Sequence, residues 1–355
     1  MKVIRLTTLL DFGGQEQQYI AFAESDKQLL QNEYVFAAIG HGGNAEKLIR
    51  EKGFEVVIFN KNPKISNLKN IWILYKWFKK TKPDIVHTAA AEANFHGIIA
   101  AKLAGVKRII GEEIGYPNHS NKAKIIFKCI YKFTYKVICV SNAVKDFLVT
   151  TQEINAKKGI VIYNPVTKAK ATQKQLANEF TIVSVGRFEK VKNQSLLINA
   201  FSKIENARTK LVLVGEGSER KNLESLIQRL NLQERVTLTG FVNNPEDYLL
   251  KSHLFVLPSL SEGFGIAVVE AMQLGIASLC SNVGGIPEFI THNENGWLFN
   301  PNDERELVGL LNTIIKSPFS EIEKVAQQGK ASVENRFSVQ QYVENLENLY
   351  LKNHD

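Results

Sequence analysis

Short apolar runs without period-2 alternation recur along this chain, each followed by a stretch with helical spacing, and that pattern restricts the fold most. Runs rich in β-branched residues fall at 3–7, 35–39, 56–59, 84–88, 108–110, 137–140 and 160–162. Between them, 16–31, 44–51, 94–103 and 142–149 carry amphipathic helical spacing. Strands that are apolar on both sides belong in a parallel sheet covered by helices on each face. The pattern breaks at Asn164-Pro165-Val166, and 167–179 is polar with no strand signal. It then restarts, with strands expected at 181–185, 211–214, 236–238, 254–257, 277–280 and 297–299. Helices are expected over 193–204, 219–230, 266–274, 304–316, 320–335 and 338–352. The sequence predicts an α/β protein of two Rossmann-like doubly wound domains, 1–165 and 180–337, joined by a linker at 166–179. Ligands of such sheets sit at the carboxyl ends of the strands, so an interdomain cleft is the expected site.

Composition narrows the function. The 355 residues are 44% hydrophobic and 23% charged, which excludes both a disordered polymer and a membrane bundle. No apolar run approaches the ~20 residues that cross a bilayer, and the first residues carry no signal-peptide pattern. Cys129, Cys139 and Cys280 are too few and scattered for a disulfide framework or a zinc site. A cytoplasmic, reduced protein is expected. The net charge of +8 divides unevenly: residues 1–165 hold 24 basic and 14 acidic side chains (+10), the remainder 20 and 22 (−2). One half is basic and the other near neutral, so the halves are expected to meet different partners.

Three turns carry chemistry. Ser259 to Met272 reads as strand, turn and helix, with Glu262 in the turn, the helix opening at about Gly265, and Glu270 inside it. N–H groups at a helix start, with the positive end of its dipole, face an anion favourably. Two carboxylates eight residues apart suit two parts of an elongated ligand. An ordinary strand–turn–helix corner has the same composition. Next, Gly186-Arg187-Phe188-Glu189-Lys190-Val191-Lys192-Asn193 follows the strand 181–185. The planar fork of Arg187 and the mobile charge of Lys192 form a sensible pair for a diphosphate, where the plainer reading is a basic surface loop. Third, Asp11-Phe12-Gly13-Gly14-Gln15-Glu16 opens the first helix with a backbone that a ligand can approach. It lacks the G-x-G-x-x-G spacing of a dinucleotide site, so NAD binding gains no support.

The Glu-x7-Glu tract from Glu262 to Glu270, with its Glu-Gly-Phe-Gly, resembles the signature of retaining family 4 glycosyltransferases. Gly186-Arg187-x4-Lys192-Asn193, Val214-Gly215-Glu216-Gly217, Gly240-Phe241-Val242, Gly284-Gly285-Ile286-Pro287-Glu288 and the early Gly13-Gly14 resemble theirs as well, in family order. The resemblance implies the GT-B architecture, with acceptor on the first domain, nucleotide-sugar on the second, and a last helix (338–355) crossing back. It implies that Arg187 and Lys192 hold the donor diphosphate, that Glu262 meets the transferred sugar, and that Glu270 bonds the ribose hydroxyls. Backbone N–H groups of Phe264, Gly265 and Ile266 would touch sugar and phosphate. Val242 and Asn243 would lie near the base, and Gly14 would leave room for the diphosphate. The donor would be a nucleotide-diphosphate sugar, taken as UDP-linked. It is a co-substrate, so no cofactor is expected. No Asp-x-Asp metal motif is present, so no metal is expected either, the two cations standing in its place.

One departure stands out. Where many relatives carry a histidine after the fifth strand, this chain has Gly111-Glu112-Glu113, so a catalytic histidine cannot be carried over. Glu113 and His87 become the acceptor-side candidates, although a histidine satisfied by backbone is an equal reading for His87. In the basic half, Lys124, Lys128, Lys132 and Lys136 repeat every four residues among Ile125, Ile126, Phe127, Ile130, Tyr131 and Phe133, and 69–82 mixes lysines with aromatics. Helices over 69–82 and 122–136 of this kind suit an anionic membrane surface, at ~1 kcal/mol per lysine. A helix with an ordinary solvated lysine face fits equally well. The membrane reading predicts a peripheral seat on the inner face of the plasma membrane and a glycan or lipid-linked glycan acceptor in surface polysaccharide assembly. Competing readings are a non-catalytic sugar-nucleotide-binding protein, or an epimerase or phosphorylase on the same architecture. Nucleic acid is not an expected partner, since no nucleic-acid motif is present.

Overall fold

The computed structural model describes residues 1–11, 13–167, 174–176 and 178–351. Phe12, half of the expected linker and the last four residues of the chain lie outside them. The chain divides into two compact units, one of Met1–Val166 with the segment from Phe337 on, the other of Thr167–Arg336.

The first unit alternates β1 (Lys2–Thr7), α1 (Gly14–Ala23), β2 (Glu33–Ala38), α2 (Asn44–Glu51), β3 (Glu55–Ile58), α3 (Lys69–Thr81), β4 (Ile85–Ala89), α4 (Ala91–Ala104), β5 (Arg108–Glu113), α5 (Asn121–Tyr131), β6 (Lys136–Cys139), α6 (Asn142–Thr150) and β7 (Gly159–Val161). The second runs β8 (Thr181–Val185), α7 (Gln194–Ser202), β9 (Lys210–Val214), α8 (Arg220–Arg229), β10 (Val236–Leu238), α9 (Glu246–Leu249), β11 (Leu254–Leu257), α10 (Ile266–Gln273), β12 (Ala277–Ser281), β13 (Trp297–Phe299), α11 (Glu304–Lys316) and α12 (Phe319–Val333). The final helix, α13 (Val339–Leu351), packs in the first unit against α1.

Both sheets are parallel, ordered β3-β2-β1-β4-β5-β6-β7 and β10-β9-β8-β11-β12-β13. Each is a Rossmann-like sheet whose strand order reverses next to its first strand, between β1 and β4 and between β8 and β11. That reversal opens a crevice at the carboxyl ends of the strands. Helix starts are fixed locally: Ser120, Ser141 and Asp303 each accept an N–H of the first turn of α5, α6 and α11.

Two expectations need correcting. The helix expected over 16–31 stops at Ala23, because Asp26 caps a separate short turn by accepting the Gln28 N–H. The lysine stripe does not run along one helix either. α5 ends at Tyr131, Lys132 is its C-cap, and Lys136 opens strand β6 and donates to the Lys157 carbonyl.

Each unit has its own apolar core. Phe22, Phe36, Ile85 and Ile110 pack with Leu346 and Tyr350 of α13 in the first, and Ile182, Phe201, Leu254 and Leu311 in the second. The α1 face of the first sheet is unusual for a parallel sheet. Arg5, His87 and Glu112 all lie on it, and all are fully buried.

Candidate active site

In the second unit, the loops after β8, β9, β11 and β12 meet at the carboxyl ends of the strands. The loop after β8 carries Arg187, which is exposed and pairs with Glu189 at 2.9 Å. Lys192 turns toward the loop after β11, where its Nζ lies 2.6 Å from Glu262 Oε2. Ser259 Oγ donates to the same oxygen at 3.3 Å. The two loops are also joined through the backbone, since the Leu260 N–H donates to the Val191 carbonyl at 2.8 Å. Glu262 is fixed from its other side by the turn after β12. The Gly285 N–H donates to its carbonyl, and a Cβ on Gly284 would stand 1.6 Å from that oxygen, with φ at +59°. Only glycine fits there.

Gly265, at φ +103°, caps the start of α10. The first N–H groups of a helix have no partner within it, and the dipole makes that end positive. Ile266 is the first helical residue, and the Phe264 side chain is buried against Phe289. Glu270 lies one turn further, half-buried. Burial, reinforced by the charge of Glu246, pushes its carboxyl up to about 7. Val242 and Asn243 lie in the loop between β10 and α9, half-buried and exposed respectively.

In the first unit, Gly14 is the exposed first residue of α1. Ala90, which follows β4, is held at φ 76° and ψ 155°, a region that side-chain-bearing residues rarely enter. Both flank the crevice between β1 and β4.

Comparison with known proteins agrees with this arrangement. The family model described as Glycosyltransferase Family 4 matches residues 12–170, and that described as Glycosyl transferases group 1 matches 166–334. An uncharacterised glycosyltransferase of Methanocaldococcus jannaschii is 30% identical over 76% of this chain and 75% of its own length. The chain belongs to glycosyltransferase family 4. A UDP-Gal:alpha-D-GlcNAc-diphosphoundecaprenol alpha-1,3-galactosyltransferase of Escherichia coli is 29% identical over 81% of this chain and 80% of its own. Among solved structures, Anabaena HepE in complex with UDP and glucose superposes with a TM-score of 0.86 at 23% identity, covering 98% of this chain and 99% of its own. The fold is therefore that of the GT-B glycosyltransferases.

For this glycosyltransferase, the structure brings Lys192 and Glu262 into direct contact and sets Arg187 on a loop and Gly265 and Ile266 at the start of α10, all at the carboxyl ends of the same sheet's strands. Glu270 stands apart from Glu262, inside α10. The two acceptor-side candidates do not present themselves to a ligand. His87 has no exposed surface; its Nδ1 lies 2.7 Å from Tyr350 Oη and its Nε2 3.0 Å from Glu112 Oε2. Burial lowers its pKa, against the opposing pull of Glu112. It is a core histidine, and its expected acceptor role is withdrawn. Glu113 is enclosed as well, accepting from Tyr131 Oη and from Asn94 Nδ2 at 3.2 Å, and burial pushes its carboxyl up to about 7. Sequence reasoning missed Ser259 and Glu246. The place of Ser259 three residues before Glu262 was a readable signal, whereas Glu246 offered none.

Proposed function

We propose that this glycosyltransferase moves a hexose from a UDP-linked donor to a lipid-diphosphate-linked glycan, with retention and without a metal ion. The Lys192–Glu262 contact at 2.6 Å, beside the start of α10 where the strand order reverses, carries the reading. As the glycosidic bond breaks, negative charge grows on the leaving diphosphate. Lys192, held by Glu262, and the N–H groups of Phe264, Gly265 and Ile266 meet that charge already oriented, usually the largest catalytic contribution. Arg187 adds a second cation from its exposed loop. Those two cations do the work that a metal would otherwise do. The leaving phosphate takes the acceptor's proton as its oxygen attacks the same face of the sugar, so no protein nucleophile is needed.

In this reading Glu262 accepts hydroxyls of the transferred sugar, Glu270 those of the ribose, and Val242 and Asn243 border the base. The donor is a co-substrate and no cofactor takes part. The lipid-linked acceptor is supported by the name of the E. coli relative, which acts on a sugar carried by diphosphoundecaprenol. The outer surface of the first unit supports a cytoplasmic, peripheral seat on an anionic membrane. Leu68, Trp72, Ile125, Ile126 and Phe133 are all at least 46% exposed there, and Lys76 Nζ stands 5.2 Å over the Trp72 ring.

A thermal-shift screen of UDP- and GDP-sugars tests the donor, with stabilisation by UDP-sugars expected. Arg187→Ala is expected to lose ~2.7 kcal/mol of transition-state stabilisation, about a hundredfold in kcat. Wild-type turnover in that variant refutes the assignment.

A further inference from the structure

The turn from Ser259 to Glu262, in the second unit, is fastened at both of its ends. The ladder between β11 and β12 runs out at Leu257 and Cys280. One residue on, the Ser281 hydroxyl continues the bonding that the backbone has stopped providing. It donates to the Ser259 carbonyl at 2.6 Å and lies 3.3 Å from that of Leu257. At the far end of the turn, the Gly285 N–H donates to the Glu262 carbonyl at 3.3 Å, and between them the Leu260 N–H is held by the Val191 carbonyl. Ser259 and Ser281 have no exposed surface.

With its main chain held in this way, Glu262 keeps only the freedom of its side chain. Two donors restrain it, and both take the same oxygen: Lys192 Nζ stands 2.6 Å and Ser259 Oγ 3.3 Å from Oε2. Among the described residues, none bonds Oε1. A serine that merely shapes a turn bonds a nearby backbone N–H, whereas this hydroxyl bonds a charged side chain. The two donors differ in kind. Lys192 carries a compact charge on a flexible stem, free to follow an incoming anion. The Ser259 hydroxyl turns about a single bond in a buried, fastened segment. When a diphosphate draws Lys192 away, Ser259 is the partner that remains on Oε2.

We propose that Ser259 is a positioning residue for the transferred sugar, holding Glu262 by Oε2 wherever Lys192 is engaged and so keeping Oε1 for a sugar hydroxyl. This rests on the reading of Glu262 as the group that accepts the sugar's hydroxyls, and the test separates the two. Titration calorimetry of the full-length chain compares UDP with the UDP-sugar returned by the screen. Ser259→Ala is expected to weaken the UDP-sugar about tenfold, the size of one hydrogen bond, while UDP stays within about twofold of wild type. A turn distorted as a whole would weaken both ligands alike, because Lys192 and the start of α10 adjoin it. Ser259→Cys nearly keeps the shape and supplies only a weak donor, so it is expected to repeat the selective loss even where the alanine variant folds poorly. In Glu262→Ala, adding Ser259→Ala is expected to change nothing further, since Ser259 acts through Glu262 alone. Equal weakening of both ligands, weakening of neither, or additive losses in the double variant overturn the proposal. If wild type binds no UDP-sugar, or Glu262→Ala leaves the ratio of the two affinities unchanged, the sugar-contact reading of Glu262 falls instead, and this proposal with it.

Discussion

Glu270 shows what one residue's surroundings do to its chemistry. Burial, then the neighbouring Glu246, raise its carboxyl to about 7 from an ordinary 4.5. In the folded chain it therefore stays protonated across a range in which the unfolded chain has released the proton. Its contribution to stability is present below pH 4.5 and is lost as pH rises from 4.5 to about 7. A carboxylate accepts two hydroxyls better than a carboxylic acid does, so nucleotide binding has the opposite slope. Wild-type affinity for UDP, measured by titration calorimetry, is expected to strengthen as pH passes about 7. Glu270→Gln should bind more weakly and lose that slope, and an identical pH profile in both proteins would remove Glu270 from the ribose site. Nothing in the sequence around Glu270 announced the shift. Glu246 is 24 residues away (270 less 246), and only the fold brings its charge within reach of Glu270.

Among the secondary elements, strands were the most legible. A parallel strand is buried on both faces, so its sequence is a plain apolar run, and every such run expected from the sequence forms a strand among the described residues. Helix ends were less legible. The spacing that suggested a helix to residue 31 continues past Ala23, yet the Asp26 cap ends the regularity. On α5 the period-four lysines ran past the true end of the helix at Tyr131. This alters how that surface would meet a membrane. Ile125, Ile126 and Phe133 are 65%, 47% and 46% exposed, and lysines 122, 128 and 132 are exposed around them. Lys136 belongs to the sheet and should contribute nothing. In co-sedimentation with anionic vesicles, Lys128→Glu together with Lys132→Glu is expected to weaken binding by about 2 kcal/mol or more, some thirtyfold, at ~1 kcal/mol per lysine removed. Lys136→Gln is expected to bind as wild type does. Equal binding to neutral and anionic vesicles would dismiss the membrane face altogether.

For the whole molecule, the return of the chain into the first unit was beyond what local pattern reveals. The buried strip of Arg5, His87 and Glu112 looks, residue by residue, like a set of charges that ought to face water or a ligand. It is covered by Tyr342 and Tyr350, 337 and 263 residues distant from their partners Arg5 and His87. That separation is why His87 reads as a site residue in the sequence and proves to be a core residue in the structure. α13 brings a second polar anchor in Glu347. Only 2% exposed, it accepts from Tyr34 Oη at 2.6 Å, from the Gln31 N–H at 3.1 Å and from the Asn32 side chain. Glu347→Ala leaves those donors without their acceptor, and one unsatisfied buried group costs about 1–3 kcal/mol. Because each unit has a separate core, the loss should not be shared. Calorimetry of Glu347→Ala is expected to show the transition of the first unit lowered by several degrees. The transition of the second unit should remain where it was, still raised by UDP. A uniform shift of both transitions, or no shift in either, would mean that α13 is not held by this contact in the way its geometry implies.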